Sequence, residues 1–383
     1  MTTQSILPVE QGVRTLPHPD RLAGAPPPAF PPLRIREKLG RRLRVNVMSE
    51  TVRFGLTAQG GHTAFLDCVD LMSEHPDLEI RVNSAEPCDL LHSHSWGPLY
   101  VSKALSYRGR RVFTVHALPE TAEGALPWMS PLTRPLVRGY LKTIYNLSDL
   151  LIAVSPDTAL SLKRLGVRSP VEVVPNALRN DRFFPAPRLR RKGRALLGVD
   201  RERPLVIGVG QLQPRKGIAE FAEIARRVPE AEFVWIGGSP FGIVSAGLRQ
   251  LRRLRAHPPE NLRFAGSLDL SEMPLAYNAA DALVFPSFQE NCPYAPLEAA
   301  SCGIPVIFRD LPAYRLLYPS EYAAAADVSG FVDRLREVLF SPADREAFRR
   351  ASLRLAAHFR PAPFVASLAR LYDRLACETL GSA

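Results

Sequence analysis

FPSFQENCPYAPLEAASCGIPVI, at residues 285–307, carries the clearest structural signals in this chain. The apolar run that ends at Phe285 predicts a buried strand, and the prolines that follow exclude a continuing ladder. Helix formers begin at Leu297, and Gly303 ends that helix before a second apolar run. The stretch therefore predicts a strand, a loop, a short helix and another strand.

Two glutamates lie within this stretch, Glu290 in the loop and Glu298 in the helix. A helix N-terminus presents unpaired N–H groups and a partial positive charge, which suit a polar ligand. Carboxylates at this separation can accept hydrogen bonds from different hydroxyl groups of one extended polyol. A solvated loop glutamate and a helix-capping glutamate would give the same pattern, so spacing alone leaves both interpretations open.

The wording of the stretch resembles the donor-binding motif of the family 4 retaining glycosyltransferases, which have the GT-B fold. Glu290 and Glu298 have seven residues between them and are followed by AASCGIPV, while PSFQENCP resembles the branch that makes diacylglycerol-type glycolipids. The resemblance implies that Glu290 and the amides after it hold the donor sugar, and that Glu298 holds the nucleotide ribose. It implies donor contacts by the four residues after Glu290, namely Asn291, Cys292, Pro293 and Tyr294.

Length and composition are those of a soluble protein with more than one domain. A chain of 383 residues, 46% hydrophobic and 23% charged, exceeds one ordinary core. No apolar run approaches the ~20 residues of a membrane span, and the polar, then proline-rich start has no signal-peptide pattern. The five cysteines have no zinc-site spacing, which predicts reduced thiols in a cytoplasmic protein.

The formal charge of +11 indicates an anionic partner. Nucleic acid, an anionic membrane and phosphorylated ligands are the candidates. Much of the excess lies in arginine clusters at residues 188–194 and 249–255. Because no RNA-binding aromatic motif, zinc finger or helix-turn-helix stands out, we predict no nucleic-acid partner.

Strands alternate with helices along the chain, which predicts an α/β fold with doubly wound parallel sheets. The first predicted strand is Leu43–Met48, and a Gly60-Gly61 loop follows it before a helix that starts at Ala64. Such a loop lets backbone amides approach a ligand closely. In the family that the chain resembles, a comparable glycine loop lies near the donor diphosphate, which implies donor contacts for both glycines.

Two histidines fall near the carboxyl ends of predicted strands, where α/β folds bind ligands. His116 follows the strand Arg111–Val115 and resembles the strand-end histidine that lies near the transferred sugar in glycolipid glycosyltransferases. We therefore predict a catalytic role for His116. We place His94 and Glu120 on the acceptor side, with the alternative that His94 caps a strand.

The second domain is predicted to open with a buried strand that ends at Gly210 and leads into QLQPRKG. Two cations and a glycine between a strand and a helix suit a diphosphate. The pattern resembles the family's Arg-x4-Lys-Gly motif, although Gln211 stands where many members have arginine. We predict that Arg215 and Lys216 are catalytic and that Gln211 binds the donor. Because no Asp-x-Asp lies in a plausible site, we predict no metal and no other cofactor.

The predicted organisation is two Rossmann-like domains that face each other across a cleft. Residues 179–197, rich in proline and arginine, are interpreted as the linker. The predicted parts are a disordered proline-rich tail at 1–40, an acceptor-side domain at 41–185, a nucleotide-sugar domain at 186–360, and a C-terminal helix at 361–383 that returns to the first domain.

Residues 127–146 predict an amphipathic helix at a membrane surface. Arg134, Arg138 and Lys142 recur at every fourth position, beside apolar residues at helical spacing. We predict that this helix lies in an anionic surface with Trp128 at the level of the headgroups. A core helix with a solvated basic edge is the alternative. The apolar residues are Leu132, Leu136, Tyr140, Leu141, Ile144 and Tyr145.

These observations predict a retaining hexosyltransferase that uses a nucleotide sugar, preferably a UDP-sugar. Its predicted acceptor is a membrane lipid such as diacylglycerol or a glycolipid, and its predicted place is the cytoplasmic face of the membrane. A polysaccharide or small-molecule acceptor is one alternative. A sugar-nucleotide epimerase of the same fold and a basic binding protein without catalysis are alternatives from other classes.

Overall fold

Two parallel six-stranded sheets form the framework of the computed structural model. It describes residues 30, 32–54, 60–123, 132–179, 181–199, 202–238 and 248–381. The inner strands of both sheets are short, apolar and buried along nearly their whole length, because helices cover both faces, whereas the edge strands are only partly buried.

The first sheet has the strand order β2-β1-β3-β4-β5-β6, and its neighbouring strands pair in parallel. Its strands are β1 (Leu43–Met48), β2 (Leu78–Val82), β3 (Leu90–Ser93), β4 (Arg110–Val115), β5 (Leu150–Ala153) and β6 (Val171–Val173).

The second sheet has the order β12-β11-β10-β7-β8-β9, again parallel throughout. Strands β7 and β10 are direct neighbours, so the loops that follow them meet at one edge. Its strands are β7 (Leu205–Val209), β8 (Glu232–Ile236), β9 (Leu262–Gly266), β10 (Ala282–Phe285), β11 (Val306–Arg309) and β12 (Ala323–Ala325).

The helices fall into those of the first half and those of the second half of the chain. The first half has α1 (Arg34–Leu39), α2 (Gly60–Ser73), α3 (Pro98–Ser106), α4 (Pro119–Glu123), α5 (Arg134–Tyr145) and α6 (Pro156–Leu165). The second half has α7 (Arg190–Leu197), α8 (Ile218–Arg227), α9 (Leu248–Ala256), α10 (Met273–Ala279), α11 (Tyr294–Ser301), α12 (Pro312–Leu317), α13 (Val328–Phe340), α14 (Pro342–Ala357) and α15 (Pro361–Gly381).

The C-terminal helix α15 belongs to the core of the first sheet. Val365, Leu368 and Tyr372 are buried there with Leu43 and Val112. Apolar residues at spacings of three and four explain why one face of this helix is buried. The chain therefore leaves the second sheet and ends against the first.

The end of the predicted disordered tail is ordered, and that part of the prediction is wrong. Leu33 and Ile35 are buried at helix α1, and Asp373 of α15 accepts a hydrogen bond from the Ile35 backbone at 2.8 Å. The proline-rich composition around this segment hid two apolar anchors. Residues 1–29 lie outside the described residues.

The predicted linker is also only partly a connection. Helix α7 occupies its second half and packs on α10, so closely that a Cβ on Gly193 would lie 2.0 Å from the Leu275 carbonyl oxygen. Arg194 is buried there, 3.6 Å from Asp281. The dense arginine pattern concealed a packed helix.

In the described part of the chain, every helix is too short or too polar to cross a bilayer.

Candidate active site

The carboxyl ends of the two sheets meet through hydrogen bonds that join the domains. Asn291, in the loop after β10, donates to the backbone carbonyl of His116 at 2.9 Å. Asn176, just after β6, donates to the backbone carbonyl of Cys292 at 3.1 Å. The loop from Pro286 to Pro293 therefore forms the floor of a cleft between the sheets.

An ion pair between Lys216 and Glu290 lies at the centre of this cleft. The two side chains are 13% and 9% exposed, and Ser287 donates a hydrogen bond to Glu290 at 2.7 Å. Burial acts to raise the pKa of Glu290, but the charges of Lys216 and Arg215 outweigh it and hold the pKa below its usual range. Glu290 is therefore an ionised carboxylate that fixes the position of two cations.

Arg215 has three polar partners in the same network. It donates to the Gln289 carbonyl at 3.0 Å and to the Gln213 side chain at 2.9 Å, and it lies 3.9 Å from Glu290. Gln213 in turn donates to the side chain of Gln211 at 2.9 Å. Gln211 therefore connects to Arg215 through one intermediate side chain, which brings all three predicted residues of this loop together.

Gly217 explains why this loop can approach the loop after β10 so closely. Its φ of +73° lies in the left-handed region, and a Cβ there would lie 2.3 Å from the Pro286 carbonyl oxygen. A short 3₁₀ turn at Pro214–Lys216 precedes it. Glycine at this position therefore permits the contact that brings Lys216 to Glu290.

Glu298 is buried one turn into helix α11 and accepts a hydrogen bond from the Tyr277 hydroxyl at 2.7 Å. Burial raises the pKa of Glu298 to about 7. A buried carboxylate with one hydrogen bond can accept further bonds from a ligand hydroxyl.

Gly60 and Gly61 are the first residues of helix α2, whereas the sequence predicted a loop and a later helix start. A Cβ on Gly61 would lie 3.5 Å from the His116 side chain, and one on Gly60 would lie 3.9 Å from Tyr294. The N-terminus of a 14-residue helix therefore faces the cleft, which favours an anion there. The preceding residues 55–59 lie outside the described residues.

His116 follows β4 at the wall of the cleft. Burial lowers its pKa to about 4, so the imidazole is neutral at pH 7. Its Nε2 forms a 3.0 Å hydrogen bond with Nδ1 of His94. A neutral ring can donate or accept a hydrogen bond but supplies no positive charge.

The two residues predicted on the acceptor side have different surroundings. His94 is 7% exposed and lies behind His116, with its ring stacked at 5.2 Å, so an acceptor does not reach it in this structure. Glu120 is exposed near the start of α4. Glu120 is therefore open to solvent whereas His94 is not, and the acceptor-side role of both residues stays a prediction.

The remaining donor-loop residues lie where the two domains meet. Pro293 caps α11 with an extended backbone, and Tyr294 begins the helix. Cys292 is buried, and burial raises the pKa of its thiol to about 12, so it is protonated. This cysteine is consequently a poor nucleophile, and its contribution to the site is its backbone.

One buried cluster contains side chains of the types that bind metals. Its members are Cys68, His92 and His94, whose possible ligand atoms lie within 4.8 Å of one another. Both nitrogens of His92 already bond to hydroxyl groups, those of Tyr372 at 2.5 Å and Thr114 at 2.7 Å. Burial raises the pKa of the Cys68 thiol to about 12. We interpret these side chains as part of a hydrogen-bonded core.

Three polar residues near the site were missed by the sequence analysis. Asn176 and Tyr277 are recognisable only once the strand order is known, because their partners are distant in sequence. Asp67 had a local signal: it shares a face of helix α2 with Ala64 and Leu71, both buried. A carboxylate on an apolar helix face indicates a site or a buried partner.

Helix α5 has two exposed flanks. Leu132, just before it, and Leu136 are 88% and 74% exposed, and Tyr140 is 43% exposed with its hydroxyl donating to the Trp96 carbonyl at 2.7 Å. The predicted apolar set is thus divided, because its other three members, Leu141, Ile144 and Tyr145, are buried in the core. Trp128 lies outside the described residues.

The cations of α5 lie on the other flank from these exposed apolar residues. Positions two apart on a helix are separated by about 200°, and Arg134, Arg138 and Lys142 each follow an exposed apolar residue by two. The outermost row between the flanks is Pro135, Gly139 and Thr143. The predicted stripe of cations is present, but the exposed apolar residues lie on the opposite flank of the helix rather than beside it.

Two family descriptions match the chain. Residues 77–182 match Glycosyltransferase Family 4, and residues 203–358 match Glycosyl transferases group 1. The first match covers most of the first sheet, and the second covers the loops that carry Lys216 and Glu290.

Curated relatives include three enzymes that act on lipids. The alpha-galactosylglucosyldiacylglycerol synthase of Streptococcus pneumoniae (strain ATCC BAA-255 / R6) is 31% identical over 313 residues, 79% of this chain and 82% of the relative. The processive diacylglycerol alpha-glucosyltransferase of Acholeplasma laidlawii is 30% identical over 47% of this chain and 54% of its own length. A GDP-mannose-dependent phosphatidylinositol monomannoside mannosyltransferase of Mycolicibacterium smegmatis (strain ATCC 700084 / mc(2)155) is 29% identical over 62% and 59%.

Solved structures confirm the predicted GT-B architecture. Sucrose-phosphate synthase from Thermosynechococcus elongatus superimposes with a TM-score of 0.71 at 18% identity, covering 87% of this chain and 99% of its own. Anabaena HepE in complex with UDP-glucose gives a TM-score of 0.65 at 16% identity, with 89% and 100% covered. At these identities the likeness concerns the fold.

Proposed function

Because this chain belongs to the family 4 glycosyltransferases and is a hexosyltransferase, we propose that it transfers a hexose from a UDP-sugar to a hydroxyl group of a membrane lipid, either diacylglycerol or a glycolipid. The observation that carries the donor half is the cluster of Arg215, Lys216 and Glu290 in the cleft. Relatives named as diacylglycerol and galactosylglucosyldiacylglycerol enzymes support the acceptor half.

The geometry suits a nucleoside diphosphate between the domains. Arg215 and Lys216 supply positive charge, and the N-terminus of α2 supplies the N–H groups of Gly60 and Gly61, which as first-turn amides have no partner within the helix. Electrostatic stabilisation of a leaving diphosphate is the largest contribution expected in such a reaction. In this proposal the two cations take the place of a divalent metal, and no cofactor is required.

Glu290 and Glu298 have complementary roles in the proposal. Glu290 holds the cations and offers its second oxygen to a hydroxyl of the sugar, with the amides of residues 291–294 beside it. Glu298 receives a hydroxyl of the ribose, while Tyr277 holds its other side. Both carboxylates therefore accept hydrogen bonds from hydroxyl groups of the ligand, which fits a polyol donor.

The acceptor half of the proposal rests on the exposed apolar flank of the first domain. Leu132, Leu136 and Tyr140 are exposed on one flank of α5, and three cations are exposed on its other flank. Exposed apolar residues next to basic ones are typical of a surface that rests on an anionic bilayer. We propose that the enzyme acts as a peripheral protein on the cytoplasmic face of the membrane.

A donor panel tests this function directly. Purified full-length protein is incubated with radiolabelled UDP-glucose, UDP-galactose or GDP-mannose and with vesicles that contain diacylglycerol, with and without EDTA. We expect label in the lipid extract from a UDP-hexose, with an α-linkage and with unchanged rates in EDTA. Label that stays in the aqueous phase would contradict a lipid acceptor, and an isomerised donor without acceptor would indicate an epimerase. Loss of transfer in EDTA would contradict the metal-free mechanism alone.

His116→Ala is predicted to lower turnover far more than nucleotide affinity. The side chain lies at the cleft, whereas its backbone carbonyl already holds Asn291 and remains in the variant. We expect kcat to fall while the Kd for UDP, measured by calorimetry, changes little. An equal loss of UDP affinity would make His116 a nucleotide-binding or folding residue instead.

A further inference from the structure

A cavity of about 10 Å³ lies behind the active site, between helix α2, the ends of the first sheet and helix α15. Two side chains that line it, Asp67 and His94, each carry a buried polar atom with no hydrogen-bond partner among the described residues, Oδ1 and Nε2 respectively. Asp67 is 4% exposed and His94 is 7% exposed. The volume fits about one water molecule, and a site with several polar atoms is where such a water is held.

We propose that Asp67 and His94 are positioning residues of the active site, which act through one buried water to determine which ring nitrogen of His116 carries the proton. The chain of contacts runs from the Asp67 carboxyl to the water, from the water to Nε2 of His94, and from Nδ1 of His94 to Nε2 of His116, the last at 3.0 Å. The consequence for catalysis rests on the proposed function, in which His116 meets the donor sugar.

The hydrogen bonds in this series all donate in the same direction, because both imidazoles are neutral. Burial lowers the pKa of His116 to about 4 and holds that of His94 well below its ordinary value. A neutral imidazole has one N–H and one lone pair, so a bond at one nitrogen fixes the role of the other. The state of Asp67 is therefore transmitted to the far nitrogen of His116.

With Asp67 ionised, the water donates to the carboxylate and accepts from Nε2–H of His94. Nδ1 of His94 is then an acceptor, so His116 donates from Nε2 and has a lone pair on Nδ1. With Asp67 protonated, the carboxyl donates to the water, which donates to His94, and Nδ1–H of His94 donates to His116. Nδ1 of His116 then carries the proton. One proton is added overall, on Asp67, and each imidazole keeps one.

The ionised arrangement is the one that suits glycosyl transfer. Positive charge develops on the sugar ring as the glycosidic bond breaks. A lone pair on Nδ1 of His116 points the negative end of the ring dipole at the cleft, whereas an N–H there opposes that charge. We therefore expect turnover to rise as Asp67 ionises.

Asp67 changes its protonation state near neutral pH. Burial raises its pKa to about 7, and Arg182 and Arg179 lower it only partly. Glu298, whose pKa is also raised to about 7, titrates in the same range, so comparison of variants is needed rather than one pH profile. The titratable and charged groups around Asp67 are Cys68, Asp70, His94, Arg179, Asp181, Arg182, Tyr294 and Glu298.

The activity test compares isosteric variants of the full-length protein. In wild type we expect kcat to rise through an inflection near pH 7, and in Asp67→Asn the part of that rise that belongs to Asp67 should be absent, which leaves only the part that belongs to Glu298. His94→Leu should lower kcat by about tenfold to a hundredfold with the Kd for UDP nearly unchanged, since a misplaced catalytic group can cost that much. His94→Asn, which keeps an amide near the position of Nδ1, should recover part of the loss.

A second measurement needs no donor and no activity. Nitrogen-15 correlation spectra of the histidine rings, recorded between pH 6 and pH 8.5, show which nitrogen of His116 carries the proton. We expect a change from Nδ1–H to Nε2–H as pH rises through about 7 in wild type, and no change in Asp67→Asn. The His116→Ala variant assigns the signal.

The two measurements separate the failure of this inference from failure of the proposed function. A His116 tautomer that does not respond to pH, or that responds equally in Asp67→Asn, would overturn the inference whatever the enzyme transfers. A responding tautomer without sugar transfer would overturn the function and leave the relay in place. Unchanged kcat in folded His94→Leu would show that His94 has no positioning role.

Discussion

Lys216→Ala and Glu290→Gln should each lower sugar transfer by about 10²–10³, the usual effect of removing one transition-state contact. Lys216 stands where a leaving diphosphate would gain charge, and Glu290 holds it there while facing the sugar. Initial rates of label transfer to lipid, at saturating donor, measure the effect. Near wild-type turnover in either folded variant would remove that residue from the site.

A loss of folding must be distinguished from a loss of chemistry, because the pair is largely buried. Removing one partner of such a pair leaves a lone charge, which can cost about 3–5 kcal/mol of unfolding free energy. The double variant Lys216→Met/Glu290→Gln removes both charges of the pair and leaves Arg215 bonded to the Gln289 carbonyl and to Gln213, so it should regain part of the stability while activity stays lost. Lys163→Ala, at an exposed position on α6, is the matched control and should retain activity. Recovery of activity together with stability in the double variant would indicate a structural pair.

The strands and the loops between them were predictable because parallel strands are apolar runs and their ends are marked by proline and glycine. Strand β10 ends at Phe285, as the sequence predicted. The pairing of Lys216 with Glu290, 74 residues apart, was not predictable from patterns. It depends on β7 and β10 being neighbours, and strand order is decided by the packing of the whole sheet.

The burial of individual side chains is the property that the sequence pattern predicted least reliably. His94 and His116 both follow a strand, yet His94 lies behind His116. Phe65 of α2 packs on His94. Tyr372 of α15 packs on the neighbouring His92, so these two rings cover this side of the sheet. The apolar residues of α5 have one helical period, yet half of them enter the core and half remain exposed. For the histidines the cover comes from the second helix and the last, whereas the inner side of α5 is buried with Tyr100 of α3 and Phe113 of β4.

The basic flank of α5 should bind the protein to anionic membranes. Each cation near such a surface contributes about 1 kcal/mol, so Arg134, Arg138 and Lys142 together should change partitioning roughly a hundredfold, since 1.4 kcal/mol is tenfold. The attraction should fade with salt, because the Debye length falls to about 3 Å at 1 M. We expect sedimentation with anionic liposomes at low salt, release at high salt, and lower binding and lipid transfer when all three are replaced by Gln.

The two-sided geometry of the helix makes this prediction sharper. The two flanks can contact a bilayer at the same time only if the helix rests on its outermost row, Pro135, Gly139 and Thr143. In that orientation the long arginine and lysine side chains of one flank extend to the headgroups. Leu132 and Leu136 of the other flank then also contact the bilayer. The variant Leu132→Ser/Leu136→Ser should then weaken binding by a similar factor at low and intermediate salt, whereas the loss caused by the triple Gln variant should shrink as the salt concentration rises.

A variant with the same change in charge on the other domain provides the control for the α5 experiment. Replacing the exposed Arg252, Arg253 and Arg255 of α9 by Gln should leave most of the liposome binding intact, because α9 belongs to the second domain. Equal loss of binding from α5 and α9 would mean that net charge alone attracts the protein. Full lipid transfer and unchanged sedimentation by the α5 variant would make its cations an ordinary solvated edge, and the lipid acceptor would then be supported by similarity to the glycolipid enzymes alone.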